Sequence, residues 1–155
     1  MKRILVISLL GLFLLSLMIP GCTTKTKYVV ATDATYPPFE SINDTTKQPE
    51  GFDIDLMQAV ADKAGISIEF KNVPFDPLLT GMAQGTYDAA ISAITITEDR
   101  SKSMSFSDSY FNAGQLVVLR IDNTNIKSQN DLTGKKVGVQ LGTTGQFEVE
   151  KIGSL

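Results

Sequence analysis

The sequence predicts an α/β fold built on a parallel sheet. Two observations carry that prediction. From Tyr28 onward, short β-branched and aromatic runs alternate with stretches whose apolar residues recur at helical spacing, and glycine, proline or asparagine punctuates nearly every junction.

Tyr28-Val29-Val30-Ala31 is the first strand-like run, ended by Asp33 and the turn-forming Tyr36-Pro37-Pro38-Phe39. Asn43 to Gly51 is polar, carries Pro49 and Gly51, and reads as a hairpin-like loop. From Asp53 to Ala64, the residues Ile54, Met57, Val60, Ala61 and Ala64 recur at helical spacing, with Gly65 as the stop. Ile66-Ser67-Ile68-Glu69-Phe70 alternates as a strand. Asp76-Pro77 is the expected start of the next helix, a capping carboxylate followed by proline at the first helical position. Its inner face is Leu78, Leu79, Met82 and Ala83, and Gly85 ends it; Tyr87 to Ile91 is the next strand. Strand, helix, strand, helix, strand implies right-handed crossovers and parallel pairing. Ligands of such sheets bind beyond the carboxyl ends of the strands. Loops 33–39, 92–100 and 140–146 are therefore where a site is expected.

Further along, Gln115-Leu116-Val117-Val118-Leu119 reads as a strand approached through Tyr110 to Gly114, and Ile121 to Asn130 as a polar loop. Lys136-Val137-Gly138-Val139 is a last strand-like run, and Gly142-Thr143-Thr144-Gly145 leads into a short amphipathic helix with Phe147 and Val149. These elements are too few for a second domain with its own core.

Composition narrows the function. Of 155 residues, 43% are hydrophobic and 20% charged, so a packed core is expected rather than disorder. Setting aside Lys2 and Arg3 leaves 12 of the 14 basic residues against 17 acidic ones, a net of −5. An acidic body without a basic patch argues against a nucleic-acid partner. The absence of histidine removes the commonest general base and metal ligand, so neither a metal nor a cofactor is expected. No catalytic pair is evident either, since Ser92 has no base beside it.

The N-terminus has the three parts of an export signal. Lys2-Arg3 is positive, Ile4 to Ile19 is apolar apart from Ser8, Gly11 and Ser16, and Pro20-Gly21-Cys22 closes the run. The apolar stretch is short for a membrane-spanning helix, which needs about 20 residues. Cys22 is the only cysteine and so makes no intrachain disulfide. Ile19-Pro20-Gly21-Cys22 resembles the lipobox of bacterial and archaeal lipoproteins, which implies a signal peptide at 1–21 and lipidation of Cys22. Residues 22–27 then form a polar tether.

Among the loops, 92–100 offers hydroxyls, backbone N–H groups and Arg100, whose fork can hold a carboxylate through two parallel hydrogen bonds. Taken alone, an arginine beside Glu98 and Asp99 is more often a surface ion pair. Gly142-Thr143-Thr144-Gly145 could bind an anion, though most such turns are only turns, and Tyr36, Phe39 and Phe75 could stack on a ligand, though single aromatics are more often core.

Together the loops are more specific. Gly51-Phe52-Asp53-Ile54-Asp55-Leu56 followed by Val60-Ala61 and Ala64, Ala31 to Glu40, Tyr87 to Ile91, Ile94 to Arg100, Phe106 to Tyr110 and Leu132 to Val139 resemble, in order and spacing, the family 3 extracellular solute-binding proteins for polar amino acids. The resemblance implies a two-lobed clamp around one free amino acid, which delivers it to the permease subunits of an ABC importer. It implies that Arg100 pairs with the ligand α-carboxylate, and that Thr95 and the backbone around Ser92 and Ala93 meet the α-carboxylate and α-ammonium. It further implies that Tyr36 and Phe75 pack on the ligand, that Asp33 lies near its side chain, and that Thr143 and Thr144 close over the carboxylate with Gln140 beside the pocket. Residues 28–109 correspond to lobe one without its returning segment, 110–114 to the hinge crossing, and 115–155 to the beginning of lobe two. The chain would then be roughly the first three-fifths of a family member, anchored outside the cytoplasm by lipid. Residues 22–155 alone are expected to bind weakly, because closure needs both lobes. An enzyme on the same fold, such as a dehydratase or transglycosylase, and a receptor sensor domain are the competing readings.

Overall fold

Strand β1 (Lys27–Thr32) is the middle of a three-stranded sheet in the computed structural model, which describes residues 27–153. The expected signal peptide, Cys22 and all of the tether but Lys27 lie outside the described residues. Strand β5 (Ser67–Asn72) pairs with β1 on one side and β6 (Ala89–Ala90) on the other, both parallel. The register sets Val30 opposite Phe70 and Ala89, and Ala31 opposite Lys71 and Ala90. A strand flanked on both edges and covered on both faces has no polar side to show. Val30, Ala31 and Thr32 are fully buried, which is why the run reads as continuously apolar.

The crossovers are helices, as expected. Helix α1 (Phe52–Ala64) packs against β5, and α2 (Phe75–Ala83) lies over β1 and β6. Ile54 and Ala61 are buried on α1, and Phe75, Leu78 and Gly81 on α2. Between β1 and α1 the chain makes a second, antiparallel sheet of β2 (Thr35–Tyr36), β3 (Glu40–Ile42) and β4 (Pro49–Glu50) in that order. The turn expected at 43–51 closes its last hairpin. The Asn43 side chain accepts from the N–H groups of Thr45 and Thr46, at 2.9 and 2.8 Å.

The expected start of α2 is displaced. Pro74 occupies the N-cap, Phe75 is the first helical residue, and Asp76 makes no capping hydrogen bond. Pro77 is tolerated as the third helical residue because first-turn N–H groups have no intrahelical acceptor. Asp76 still places a negative charge at the helix N-terminus, where it is favourable.

The strands expected at 115–119 and 136–139 do not form ladders among the described residues. Strand propensity measures fit to a pleated, half-buried surface, and neither run has a neighbour to supply one. Leu116 and Val118 are 90% and 93% exposed. The remaining elements are the short helix α3 (Glu98–Ser101), a 3-10 turn at Gln129–Leu132 and helix α4 (Thr144–Lys151). No helix among the described residues is long and apolar enough to cross a membrane.

Gly51 sets the entry to α1. Its φ of 124° is open to glycine, and a Cβ there would lie 2.5 Å from the Phe39 carbonyl oxygen and 3.0 Å from that of Pro38. Those carbonyls accept from the N–H groups of Asp53 and Phe52, at 2.9 and 3.1 Å, so neither can retreat without uncapping the helix. Gly65, at the far end of α1, has φ 69° and nothing near its missing Cβ. Gly51→Ala should therefore cost on the order of 3 kcal/mol or more, from strain plus overlap with backbone. Gly65→Ala should cost only about 1–2 kcal/mol of left-handed strain. Urea unfolding of the two variants checks the difference; equal losses would mean that the Gly51 approach is not constrained.

Candidate ligand-binding site

Parallel pairing brings the ends of β1 and β6 to one edge, with Asp33 following the first and Ser92-Ala93 following the second. The Asp33 N–H donates to Ser92 Oγ (3.1 Å), and Ser92 Oγ donates to Glu40 Oε1 (2.7 Å). Asp53, the second residue of α1, takes two donors on Oδ2: the Ala93 N–H at 2.8 Å and the Tyr110 hydroxyl at 3.0 Å. Ala93 sits at φ 45°, in the left-handed region unusual for a residue with a Cβ, and the Asp53 contact helps to hold it there.

Glu40 and Asp53 are 1% and 0% exposed. Their outer oxygens, Glu40 Oε2 and Asp53 Oδ1, meet no N–H or hydroxyl donor among the described residues, and each carboxyl feels the other's charge. Two carboxylates cannot bond without a proton between them. Burial, then the hydrogen bond to Asp53, push the Glu40 carboxyl up from 4.5 to about 8. Burial and the nearby Asp53 carboxylate likewise raise the Tyr110 phenol.

Arg100 lies inside the loop rather than on the surface. Thr97 caps α3 by accepting from the Arg100 N–H at 3.2 Å, which turns the side chain inward to 8% exposure. Its guanidinium carbon is 5.6 Å from the centre of the Phe75 ring. Nη1 donates to the Thr95 carbonyl (2.8 Å) and Nη2 to the Gly142 carbonyl (2.9 Å). No carboxylate is within ion-pair distance of it among the described residues, and neighbouring Asp99 pairs with Lys102 at 2.7 Å instead. The surface ion-pair reading of Arg100 is therefore set aside. Burial lowers the Arg100 pKa, but a guanidinium remains charged.

The turn at 140–146 reaches this edge from the far end of the sequence. Gln140 Nε2 donates to Asp33 Oδ2 (2.7 Å), while Thr35 Oγ1 donates to Oδ1 (2.9 Å). Gly142, at φ 77°, packs against Asp76 of α2, where a Cβ would lie 3.0 Å from Asp76 Oδ1. Thr143 donates to the Gln140 carbonyl (2.7 Å) and caps α4 by accepting from the Gln146 N–H (3.3 Å).

Of the residues singled out in the sequence, Asp33 joins Ser92 and Gln140 directly with Ala93 next in the chain, while Phe75 and Arg100 form a second contact tied to the same turn through the Gly142 carbonyl. Thr95 contributes its carbonyl to Arg100, and Thr144 is engaged by Gln115 Nε2 at 2.9 Å. Tyr36 stands apart: it is 57% exposed and stacks on Phe39 at 5.8 Å, at the edge of an aromatic group with Phe52, Tyr110 and Phe111. Sequence reasoning passed over Glu40 and Tyr110 as site residues, and read Asp53 only as a helix start. The signal for Asp53 was its place four and eight residues before Met57 and Ala61, on the apolar stripe of α1.

Residues 28–149 match the family model for bacterial extracellular solute-binding proteins, family 3. The chain is 43% identical over 134 residues to a probable histidine-binding protein of Neisseria gonorrhoeae, covering 86% of this chain and 49% of that protein. It is 36% identical over 150 residues to the ABC transporter arginine-binding protein 1 of Escherichia coli, covering 97% of this chain and 58% of that protein. Among solved structures, the arginine-, lysine-, histidine-binding protein ArtJ of Geobacillus stearothermophilus superposes with a TM-score of 0.78 at 42% identity, over 84% of this chain and 55% of that one. The chain therefore spans about half the length of the curated relatives it matches.

The Glu40 carboxyl makes stability depend on pH in an unusual direction. Between 4.5 and about 8 the folded chain keeps a proton that the unfolded chain has released. Stability from this group is thus fully present below 4.5 and is lost as pH rises through about 8. The loss should amount to roughly a few kcal/mol. Urea midpoints measured across that range should fall for the parent, and Glu40→Gln should remove this slope; parallel profiles would mean that Glu40 titrates normally.

Proposed function

Because the chain belongs to the bacterial extracellular solute-binding proteins, family 3, we propose that it captures a free amino acid with a cationic side chain, outside the cytoplasm, for an ABC-type importer. The observation that carries this reading is Arg100: a buried guanidinium with no carboxylate beside it among the described residues, laid over Phe75 and reaching two of the three expected site loops. A guanidinium has five N–H donors, and two are used here, so a carboxylate can be received on the others. In this reading the backbone at Ser92 and Ala93, with Thr95, meets the rest of the zwitterion. Phe75 and Tyr36 pack on the ligand, and Thr143 and Thr144 close over its carboxylate.

Asp33 supports a cationic ligand side chain. It is buried, and both its oxygens are met by neutral donors, from Thr35 and Gln140, so among the described residues it has no cation beside it. The two relatives, named for binding histidine and arginine, support the same choice. Residues 28–109 are taken as one lobe, 110–114 as the crossing and 115–155 as the start of the second. The role is binding, with no cofactor and no catalytic step.

Arg100→Ala should weaken arginine binding by a factor on the order of tens to thousands, since hydrogen bonds to charged groups contribute about 1.5–3 kcal/mol each. Arg100→Lys should also bind poorly, because the fork is lost. Calorimetric and NMR titrations with arginine, histidine and glutamine test this. An alanine variant binding within about threefold of the parent would remove Arg100 from the site.

The leader supports attachment to the membrane by lipid. Lys2-Arg3, the apolar run to Ile19 and the residues before Cys22 have the order of a lipoprotein signal, and stable anchoring takes more than one acyl chain. Cys22→Ala should move the protein from the membrane fraction to a soluble or unprocessed form. Unchanged membrane attachment of the variant, followed by fractionation and mass measurement, would mean that the anchor is not a lipid on Cys22.

A further inference from the structure

The proposed ligand contacts at Ser92 and Ala93 are not self-supporting. Ser92 is held by Glu40 (2.7 Å) and the Ala93 N–H by Asp53 (2.8 Å), so two fully buried carboxyl groups stand behind consecutive residues of the loop. Nothing in the ligand reading needs two buried acids behind the loop, and a pair of full charges there would repel. Glu40 Oε2 and Asp53 Oδ1 are each buried and meet no donor among the described residues, and one hydrogen held between the groups would satisfy both.

We propose that Glu40 and Asp53 work as one singly protonated pair that positions residues 92–93 for ligand and fastens them to Tyr110, so that removing the shared proton loosens the ligand-binding loop. The inference rests on the ligand reading above for its consequence, but not for the pair itself. With the proton in place, a continuous chain of donors and acceptors runs from the Asp33 N–H through Ser92 Oγ, Glu40 and Asp53 to the Ala93 N–H and the Tyr110 hydroxyl. It ties together the loops after β1 and β6, strand β3, the first turn of α1 and the segment at 110. Each carboxyl oxygen then has one role: Glu40 accepts from Ser92 and donates to Asp53, and Asp53 accepts from Glu40, Ala93 and Tyr110.

Without the proton, two adjacent buried carboxylates repel, and Asp33 adds a third negative charge. The charged or titratable groups acting on Glu40 are Asp53 from α1 and Asp33 from the end of β1, and Tyr110 reaches the same Asp53; none of them is a cation. The least costly relief is for the Glu40 and Asp53 side chains to part, and Ala93 is held at φ 45° partly by Asp53. Ala93 should then relax toward an ordinary backbone conformation. Glu40→Gln is the informative substitution, because an amide keeps one acceptor for Ser92 and one donor for Asp53 at every pH.

The experiment follows the side-chain carboxyl carbons and the Ala93 amide of the chain by NMR while pH is raised, and measures arginine affinity over the same range. The Glu40 carboxyl should titrate near 8, with the Ala93 amide moving through the same midpoint. Arginine affinity should fall several-fold across it, and in Glu40→Gln both the amide position and the affinity should stay flat. An Ala93 amide that does not follow Glu40, or a Glu40 that titrates in the ordinary carboxyl range, overturns the proposal, and the parent alone decides this if the variant does not fold. An affinity that stays constant while Ala93 moves overturns the link to ligand. Absence of arginine binding at every pH counts against the proposed ligand, and the amide titration still decides the pair.

Discussion

The parallel pairing of β1 with both β5 and β6 is the constraint on which the rest of the structure depends. Parallel strands end on the same edge, so residues far apart in sequence, Asp33 after β1 and Ser92 after β6, become neighbours without any attraction between them. The same pairing requires a crossover for each return. That places α1 and α2 over the sheet and delivers the start of each helix to the same edge. Asp53 opens one helix and Phe75 the other, and these two residues brace Ala93 and Arg100 respectively.

Ionisable groups are gathered on this edge at a cost in desolvation. Arg100, Asp33, Glu40 and Asp53 are all buried, and no salt bridge joins any of them among the described residues. A buried charge without a partner costs several kcal/mol, so each must be met by dipoles, neutralised, or left for something to arrive. Glu40 and Asp53 take the second course by sharing a proton. Asp33 takes the first, through Thr35 and Gln140, and Arg100 does so in part, through the carbonyls of Thr95 and Gly142. What is left over among the described residues is one cation and one anion, Arg100 and Asp33, neither with an opposite charge beside it.

Much of this was legible in the sequence, because the signals involved are local. The apolar run of β1, the helical spacing from Ile54 to Ala64, the stop at Gly65 and the glycine-bounded turn before α4 all depend on chain neighbours, and each is where the pattern placed it. The motif order from Ala31 to Val139 also identified the family, since spacing along a chain survives when individual contacts do not. Only the tertiary structure decided the rest. The runs at 115–119 and 136–139 have strand composition but no partner to pair with among the described residues, and a ladder is made between segments, not within one. Arg100 could equally have paired with Asp99; burial against Phe75 and the capture of Asp99 by Lys102 settled that. Glu40 and Asp53 look like ordinary surface acids until folding removes water from both at once. A carboxyl group's ionisation depends on what surrounds it in space, and that is the one property a list of residues does not contain.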